Sequence, residues 1–195
     1  MIEEILKLDS KLFLYLNNLG TSKFDIFWIS LSKIEANILM YLFLILLFFY
    51  IQKIRPKLIY IFYFIFVIAL MITITDQGAN IFKDSFKRLR PCYNESIIDS
   101  LRLVKENCGG KYGFFSAHAS NSFSLAIFFG LLFINRISYI IMITIVYASL
   151  ISYSRIYLGV HYPIDIIFGS FFGIFVGFVM YSFVYLKFLK FFDKT

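Results

Sequence analysis

Five stretches of the chain contain no Asp, Glu, Lys or Arg, and they limit what it can fold into. They cover residues 36–51, 58–75, 112–135, 137–154 and 166–186. A helix needs about 20 apolar residues to cross the hydrocarbon core of a bilayer, within a range of ~17–25. Four stretches are long enough, and the first is marginal unless it borrows a turn from its N-terminal side. The pattern predicts an all-α integral membrane bundle with about five transmembrane helices, forming one domain over residues 1–195.

The composition excludes other classes of protein. Of 195 residues, 60% are hydrophobic and only 16% are charged, whereas a soluble domain carries about 25% charged residues. The 26 Phe, 3 Pro and 2 Cys exclude a disordered chain, a collagen-like chain and a disulfide-dense scaffold. The net charge of +7 fits cytoplasmic anchoring, contact with anionic lipid or recognition of an anionic substrate, and no nucleic-acid partner is expected.

The segment 1–35 differs from the rest because its apolar residues alternate with charges. Those that recur at helical spacing are Ile5, Leu8, Leu12, Tyr15, Leu16 and Leu19. This spacing predicts an amphipathic helix in the membrane interface, and a short helix packed on the bundle is an equally open alternative. Glu3 and Glu4 stand where a secretory signal has basic residues, so a cleaved signal peptide is not expected.

Basic residues in the short connections predict the orientation of the bundle. One side would hold Lys53, Arg55, Lys57, Arg136, Lys187, Lys190 and Lys194, and the positive-inside rule makes that side the cytoplasm. The N-terminus, a loop over 76–111 and a turn over 155–165 would then face outward. These outward segments nevertheless contain Lys83, Lys87, Arg88, Arg90, Arg102, Lys105, Lys111 and Arg155. Because this excess opposes the rule, it indicates an anion held at the outer face.

The residues able to do chemistry also fall at the outward ends of the predicted spans. Lys83, Lys87 and Arg90 are spaced i, i+4, i+7, so a helix continuing from the second span would project them from one face. We expect Pro91 to stop that helix. The arginine fork and the lysine point charge suit the oxygens of a tetrahedral anion.

Two histidines, the only ones in the chain, complete this group. His161 precedes a helix start marked by Pro163, and Asp165 lies one turn further on. Its carboxylate can accept the ring N–H, fix the tautomer and make the imidazole a better nucleophile. His118 is placed at the outward end of the third span. Each residue alone is more typical of packing or interfacial anchoring; their joint position on one face indicates a site.

Small residues follow both histidines at intervals of four. They are Gly169, Gly173 and Gly177 in the last span, and Ser122, Ala126 and Gly130 after His118. Such stripes let two helices approach closely, so the two spans are predicted to pack together and to carry the histidines at their outer ends.

Three segments together resemble the signatures of the type 2 phosphatidic acid phosphatases, or lipid phosphate phosphatases. Lys83–Pro91 matches the first signature, and Ser154–Asp165 matches the third in full. Residues 115–118 are similar to the second, which is normally Pro-Ser-Gly-His. Phe115 replaces its Pro and Ala117 its Gly, which leaves the local backbone open. The surrounding sequence looks like a bacterial envelope branch of the family.

The resemblance implies a metal-independent and cofactor-independent hydrolase. His161 would attack phosphorus and form a phosphohistidine, Asp165 would orient it, and His118 would protonate the leaving oxygen and then activate water. The residues implied to hold the phosphoryl oxygens are Lys83, Arg90, Arg155 and Ser116. Neither histidine has Cys or Glu partners at the spacing of metal ligands.

The substrate is expected to be a membrane lipid phosphate, met at the outer face of a bacterial cytoplasmic membrane. Undecaprenyl diphosphate or a lipid A phosphate is favoured, and phosphatidylglycerol phosphate and phosphatidic acid are alternatives. A non-catalytic protein that binds anionic lipid is the rival from another class. A transporter would need polar residues at mid-membrane, which the spans largely lack. Haloperoxidases that share the signatures are soluble. The oligomeric state stays open.

The two cysteines flank the outward loop. Cys92 and Cys108 would face an oxidising compartment if the orientation is right. A disulfide and two free thiols are both open at this point.

Overall fold

The computed structural model describes residues 1–52, 58–105 and 107–186, and the helices over these residues follow the predicted spans. The α-helices are α1 (Ile2–Asn18), α2 (Asp25–Ser32), α3 (Ile34–Gln52), α4 (Leu58–Phe86), α5 (Ala117–Phe133), α6 (Ile140–Tyr157) and α7 (Pro163–Val179). A π-helical segment, Met180–Tyr185, continues α7. Single 3₁₀ turns occupy Ser22–Phe24, Pro91–Tyr93 and Ile98–Ser100.

Within the described residues, three helices are long and apolar enough to span a membrane: α4, α6 and α7 with its continuation. The bent pair Ser22–Ser32 and Asn37–Ile51 meets the same criterion together, with a 54° bend, and α5 is apolar but shorter, at 17 residues. Large apolar side chains project outward from these helices, among them Phe43, Leu46, Phe62, Phe66, Val146, Phe171 and Phe175. The predicted multi-pass helical membrane bundle is confirmed.

Helix α5 lies at the centre of the bundle, and its backbone is in direct contact with the glycines of α7. A Cβ added at Gly169 would lie 2.6 Å from the carbonyl oxygen of Ser116. Gly173 and Gly177 meet the carbonyls of Ser120 and Ser124 in the same way. The glycine stripe therefore brings the two helices together, as predicted.

The second small-residue stripe has a different partner from the one predicted. The Thr144 hydroxyl of α6 donates to the Ala126 carbonyl at 2.9 Å, and Gly130 faces Ile141 of α6. Thus the face of α5 that contains Ser120 and Ser124 packs against α7. The side that contains Ala126 and Gly130 packs against α6. A helix has more than one face that can accept a close neighbour, and spacing alone does not assign them.

The loop predicted over 76–111 is shorter than expected, because α4 continues to Phe86. The prediction that a helix carries Lys83, Lys87 and Arg90 on one face is wrong. Lys87 has a φ of 48°, a left-handed conformation that ends the helix. Beyond it, the Arg90 N–H donates to the Lys111 carbonyl at 3.1 Å and the Gly113 N–H donates to the Arg88 carbonyl at 2.9 Å. Pairing with residues 111–113 thus replaces the last helical turn.

Helix α1 packs on the bundle rather than lying free. Its buried face consists of Asp9, Phe13 and Asn17. The Asn17 side-chain amide donates to the carbonyls of Ile156 and Tyr157, both at 3.0 Å. Of the six apolar residues noted in the sequence, five are exposed: Ile5, Leu8, Leu12, Tyr15 and Leu19. The sixth, Leu16, is half-buried and packs against the cluster around Phe13. One face therefore docks on α6 and α7, and the opposite face is free to meet lipid.

Most of the basic residues predicted to mark the cytoplasmic side lie outside the described residues. They are Lys53, Arg55, Lys57, Lys187, Lys190 and Lys194. Arg136, in the turn between α5 and α6, lies at the end of the bundle opposite the histidines.

Candidate active site

Four helix ends converge at one end of the bundle and bring the predicted residues together. Lys83 lies in the last turn of α4, His118 in the first turn of α5 and Arg155 in the last turn of α6, while His161 immediately precedes α7. Arg155 and His161 are only 3% and 2% exposed. Because antiparallel neighbours place the end of one helix beside the start of the next, residues from distant parts of the sequence form one cluster.

His161 and Asp165 form the pair expected from their spacing. The Nδ1 atom of His161 lies 3.4 Å from Oδ2 of Asp165. The Tyr162 N–H donates to the same carboxylate oxygen at 3.0 Å, so Asp165 is held at the N-terminus of its own helix. A carboxylate in this position orients the imidazole and fixes its tautomer.

Gly113 supports this pair, and sequence reasoning gave it no role. A Cβ at Gly113 would lie 2.9 Å from Cγ of Arg90 and 3.4 Å from the Asp165 carboxylate. Arg90 can lie this close to the backbone only because residue 113 has no side chain. A single glycine after Lys111 and Tyr112 offers no distinct signal in one sequence.

The surroundings of His161 keep its imidazole neutral. Burial lowers the pKa of His161 well below its usual value, and the positive charges of Arg90, Arg155 and Lys83 lower it further. A neutral imidazole has a free lone pair, which a nucleophile requires.

The cations differ in how they are held. Arg155 donates through Nη1 to the Ser32 hydroxyl, and its Nε is buried with no partner in the described part of the chain. Arg90 donates through Nε to the Tyr112 carbonyl at 3.2 Å and through Nη1 to the Cys108 carbonyl at 2.9 Å. A guanidinium has five N–H donors, so both arginines retain donors for an anion. Lys83 is half-buried and contacts Oδ1 of Asn80 at 3.3 Å.

The altered second signature keeps its turn. Ser116 is fully buried and is the N-cap of α5, since its hydroxyl accepts from the Ala119 N–H at 3.4 Å. Phe115 packs into an aromatic cluster, with ring centroids 5.1 Å from Phe82 and 5.2 Å from Phe172. Ala117 is the first residue of α5. Phe115 is therefore fixed by apolar packing at the position where the family signature has Pro.

Two cavities meet at His118. One, of about 320 Å³, is lined by Arg155, Lys105, Lys33 and Glu35. The other, of about 250 Å³, lies between α3, α4, α5 and α6. Its lining combines the apolar side chains of Ile38, Tyr41, Ile72, Leu125 and Ile151 with the polar side chains of Asn37, Asp76, Asn121 and Ser122. Ser32 and His118 line both. The site therefore joins a cavity with three basic side chains, those of Lys33, Lys105 and Arg155, to a cavity that is richer in apolar side chains.

The structure also places four residues that the sequence left without a settled role: Lys87, Arg88, Cys92 and Cys108. Lys87 is exposed and outside the cluster. Arg88, assigned no role in the sequence, contacts Asp165 at 2.8 Å. The sulfur atoms of Cys92 and Cys108 are paired, with Cα atoms 6.5 Å apart. Among the described residues no group of three or more His, Cys, Asp or Glu side chains could hold a metal ion.

Known proteins resemble this chain over nearly its whole length. The PAP2 superfamily model matches residues 64–189. A lipid A 4'-phosphatase of Porphyromonas gingivalis is 34% identical over 186 residues, which is 95% of this chain and 76% of that protein. A lipid A 4'-phosphatase of Bacteroides thetaiotaomicron is 34% identical over 183 residues, covering 93% of this chain and 79% of the relative.

Two solved structures share the fold. The crystal structure of Aquifex aeolicus LpxE superposes with a TM-score of 0.66 at 24% identity, covering 89% of this chain and 94% of that one. The PAP2 type phosphatidylglycerolphosphate phosphatase of Bacillus subtilis gives a TM-score of 0.67 at 16% identity, covering 92% and 86%. The helical bundle and the match to the family model agree: this chain belongs to the PAP2 superfamily and is a multi-pass membrane phosphatase.

Proposed function

We propose that this phosphatase removes a phosphate group from lipid A through a phosphohistidine formed on His161. The observation that carries the proposal is the junction at His118 of a cavity with three basic side chains and a cavity richer in apolar side chains, beside the His161–Asp165 pair. A phosphorylated lipid has a phosphate for the first cavity and acyl chains for the second. The two relatives named lipid A 4'-phosphatase, each 34% identical, support lipid A over other lipid phosphates.

In the first chemical step the free ring nitrogen of His161 attacks phosphorus, and the bond from phosphorus to the leaving oxygen breaks. Asp165 accepts the Nδ1 proton as a hydrogen bond and balances the positive charge that develops on the ring. His118, which lines both cavities, enters this step protonated, because the negative charge of the bound phosphate opposes the burial and the Arg155 charge that lower the pKa of His118. It donates its proton to the leaving oxygen.

In the second step a water molecule attacks the phosphohistidine. His118, now neutral, takes the proton from this water, the N–P bond breaks, and inorganic phosphate leaves with His161 restored. During both steps the charge on the phosphoryl oxygens is held by Lys83, Arg90, Arg155 and the Ser116 hydroxyl. A single preorganised donor of this kind is worth ~10²–10³ in rate.

The proposed site faces the periplasm or exterior of a bacterial cytoplasmic membrane. Arg136 at the opposite end of the bundle supports this orientation through the positive-inside rule. The paired Cys92 and Cys108 near the site support it as well, because disulfides persist in oxidising compartments.

The test is an assay of the purified protein in detergent with lipid A, undecaprenyl diphosphate, phosphatidylglycerol phosphate and dioctanoyl phosphatidic acid. We expect phosphate release from lipid A to have the highest kcat/KM, to persist with a chelator present and to be lost in His161→Gln. Mass spectrometry of the product identifies which lipid A phosphate is removed.

Three results would contradict the proposal. A higher kcat/KM on another lipid of the panel would replace the substrate. Loss of activity in the chelator that Mg²⁺ restores would contradict the metal-free mechanism. Tight lipid binding with no phosphate release from any substrate would favour the non-catalytic alternative.

A further inference from the structure

A buried chain of charges runs from His161 to helix α1. Nη1 of Arg88 donates to Oδ1 of Asp165 at 2.8 Å, and Nη2 donates to Oδ2 of Asp9 at 2.5 Å. The other oxygen of Asp165 faces His161. One guanidinium therefore joins a carboxylate of α1 to the carboxylate beside the proposed nucleophile.

The burial of these groups shows that they depend on each other. The side chains of Asp9 and Asp165 are 1% and 0% exposed, and that of Arg88 is 17% exposed. Burial raises the pKa of Asp9, while the hydrogen bonds from Arg88 and from the Ile164 backbone act against this rise. A buried carboxylate without its partner is strongly unfavourable, so loss of Arg88 would leave two uncompensated groups.

Asp9 also binds the start of the helix that follows His161. Its Oδ1 accepts the Ile164 N–H at 3.0 Å, and Ile164 is the second residue of α7. The first N–H groups of a helix have no partner within it, and negative charge there is favourable. Asp9 and Asp165 thus hold the N-terminus of α7 from two sides, next to His161.

The guanidinium of Arg88 has little freedom to move. It lies over the ring of Tyr162, 4.1 Å from the centroid. The Tyr162 ring meets the edge of Phe13 at 5.3 Å, and its hydroxyl accepts from the Asn94 amide at 2.9 Å. Phe13 lies one turn after Asp9 on the buried face of α1, so the docking of α1 and the position of Arg88 are set by the same contacts.

The charges have a direct relation to the proposed reaction. Asp9, Arg88 and Asp165 together carry one net negative charge, and His161 gains one positive charge when it attacks phosphorus. We infer that Arg88 and Asp9 are positioning residues that fix Asp165 against His161 and make this group of four neutral in the covalent step. Helix α1 then contributes to catalysis through Asp9, which holds Arg88 and the start of α7. This inference rests on the proposed role of His161 as the nucleophile.

The experiment compares Asp9→Asn, Arg88→Gln and Arg88→Lys with two controls. Lys87→Gln alters the exposed neighbour of Arg88. Asn17→Ala loosens the docking of α1 without touching the charge chain. Activity is measured with dioctanoyl phosphatidic acid, so the result does not depend on lipid A being the substrate.

We expect Asp9→Asn and Arg88→Gln to lower kcat about 10- to 100-fold while KM stays within about twofold, because hydrogen bonds to charged groups are lost away from the substrate. Arg88→Lys should have a higher kcat than Arg88→Gln, since lysine keeps the positive charge but cannot bind both carboxylates as the guanidinium does. Lys87→Gln should match the wild type, and Asn17→Ala should lower the melting temperature while keeping kcat.

A double-mutant test separates positioning from structural support. If Asp9 acts through Asp165, then Asp9→Asn added to Asp165→Asn should reduce kcat by less than about twofold further. Full multiplication of the two losses would overturn the inference. An Asn17→Ala variant that loses kcat as Asp9→Asn does would overturn it too, since docking of α1 would then be the whole effect.

A binding measurement keeps the inference testable if the purified protein releases no phosphate. Orthovanadate can form a fifth bond to a nucleophile, whereas inorganic phosphate binds as a ground-state anion. Binding is titrated by the fluorescence of Trp28, the single tryptophan, whose ring lies 5.4 Å from that of Tyr157 in the last turn of α6. We expect Arg88→Gln and Asp9→Asn to weaken orthovanadate binding at least tenfold and to change phosphate affinity by no more than about twofold. If Arg88→Gln leaves the orthovanadate affinity unchanged, the positioning role of Arg88 is refuted. If the wild-type protein releases no phosphate but the variants do weaken orthovanadate binding, only the proposed function is refuted.

Discussion

Replacing Gly169 by Ala should separate the two halves of the active site. The added Cβ would lie 2.6 Å from the Ser116 carbonyl oxygen and 3.3 Å from Cβ of Ala119. The first distance is about 0.8 Å short of the 3.4 Å at which ordinary contact begins. Both neighbours are backbone or near-backbone atoms, so the start of α5 must move away from α7.

This movement falls directly on the chemistry. Ser116 is the N-cap of the helix that carries His118, and Gly169 lies one turn beyond Asp165. A displacement near 1 Å in reacting groups can cost ~10²-fold in rate, so we expect kcat to fall about 10- to 100-fold. Overpacking typically costs ~1–3 kcal/mol, and replacing Gly by Ala within a helix returns ~0.5–1 kcal/mol. The net destabilisation should therefore be ~0–2.5 kcal/mol, comparable to the ~1.4–2.7 kcal/mol of a 10- to 100-fold loss of kcat, so both quantities must be measured.

The assay compares kcat on dioctanoyl phosphatidic acid and the melting temperature of three variants. Gly177→Ala makes the same kind of contact with Ser124, two turns further from the site, and should alter stability similarly with less effect on kcat. Gly110→Ala has nothing within 4 Å of its new Cβ and should match the wild type. A Gly169→Ala enzyme with wild-type kcat would refute the close packing of α5 and α7 as the source of the geometry.

Three further predictions concern the nucleophile and the loop. His161→Ala should abolish turnover and Lys87→Ala should reduce kcat little, because Lys87 is exposed outside the cluster; equal losses in a phosphate-release assay would contradict these roles. In a His118→Gln variant without a histidine tag, His161 is the only histidine, and NMR titration should give it a pKa below its ordinary value of about 6.5. The unfolded chain then binds a proton more readily than the folded chain, so the stability contributed by neutral His161 is present above about pH 6.5 and is lost as the pH falls towards the pKa of the folded state. A titration midpoint of His161 at or above 6.5 would contradict the burial of the ring. Mass spectrometry without reductant should find Cys92 and Cys108 bridged, a link across 16 residues worth about 3 kcal/mol in the chain-entropy model; two alkylated thiols would contradict it.

Much of the bundle follows from local sequence pattern. The predicted uncharged stretch 137–154 became α6, Ile140–Tyr157, and 58–75 became the first part of α4. Hydrophobic runs of this length have few alternatives in a bilayer, because every backbone polar group must be paired within the segment. The spacing of His161 and Asp165 was equally informative. Asp165 is the third residue of α7, and its carboxylate reaches back to the N–H of the N-cap Tyr162, which places it beside His161.

Other features could not be read from spacing. A helix through Arg90 was compatible with the pattern of Lys83 and Lys87, yet the chain after Phe86 pairs with residues 111–113 instead. The competing partner lies more than twenty positions away, and local periodicity contains no information about it. The partner of the second small-residue stripe was assigned wrongly for the same reason.

The sequence by itself determined a helical membrane bundle, because helix length and apolar composition are local properties. The phosphatase family followed from the resemblance of its three signatures, which are also contiguous in sequence. Only the tertiary structure decided that Asp9, 79 positions before Arg88, lies in the same buried charge chain as Asp165. It also decided that a cavity with three basic side chains and a cavity richer in apolar side chains meet at His118. These features depend on how α1 and α5 pack against distant helices, and packing of that kind is settled by shape and burial across the whole bundle.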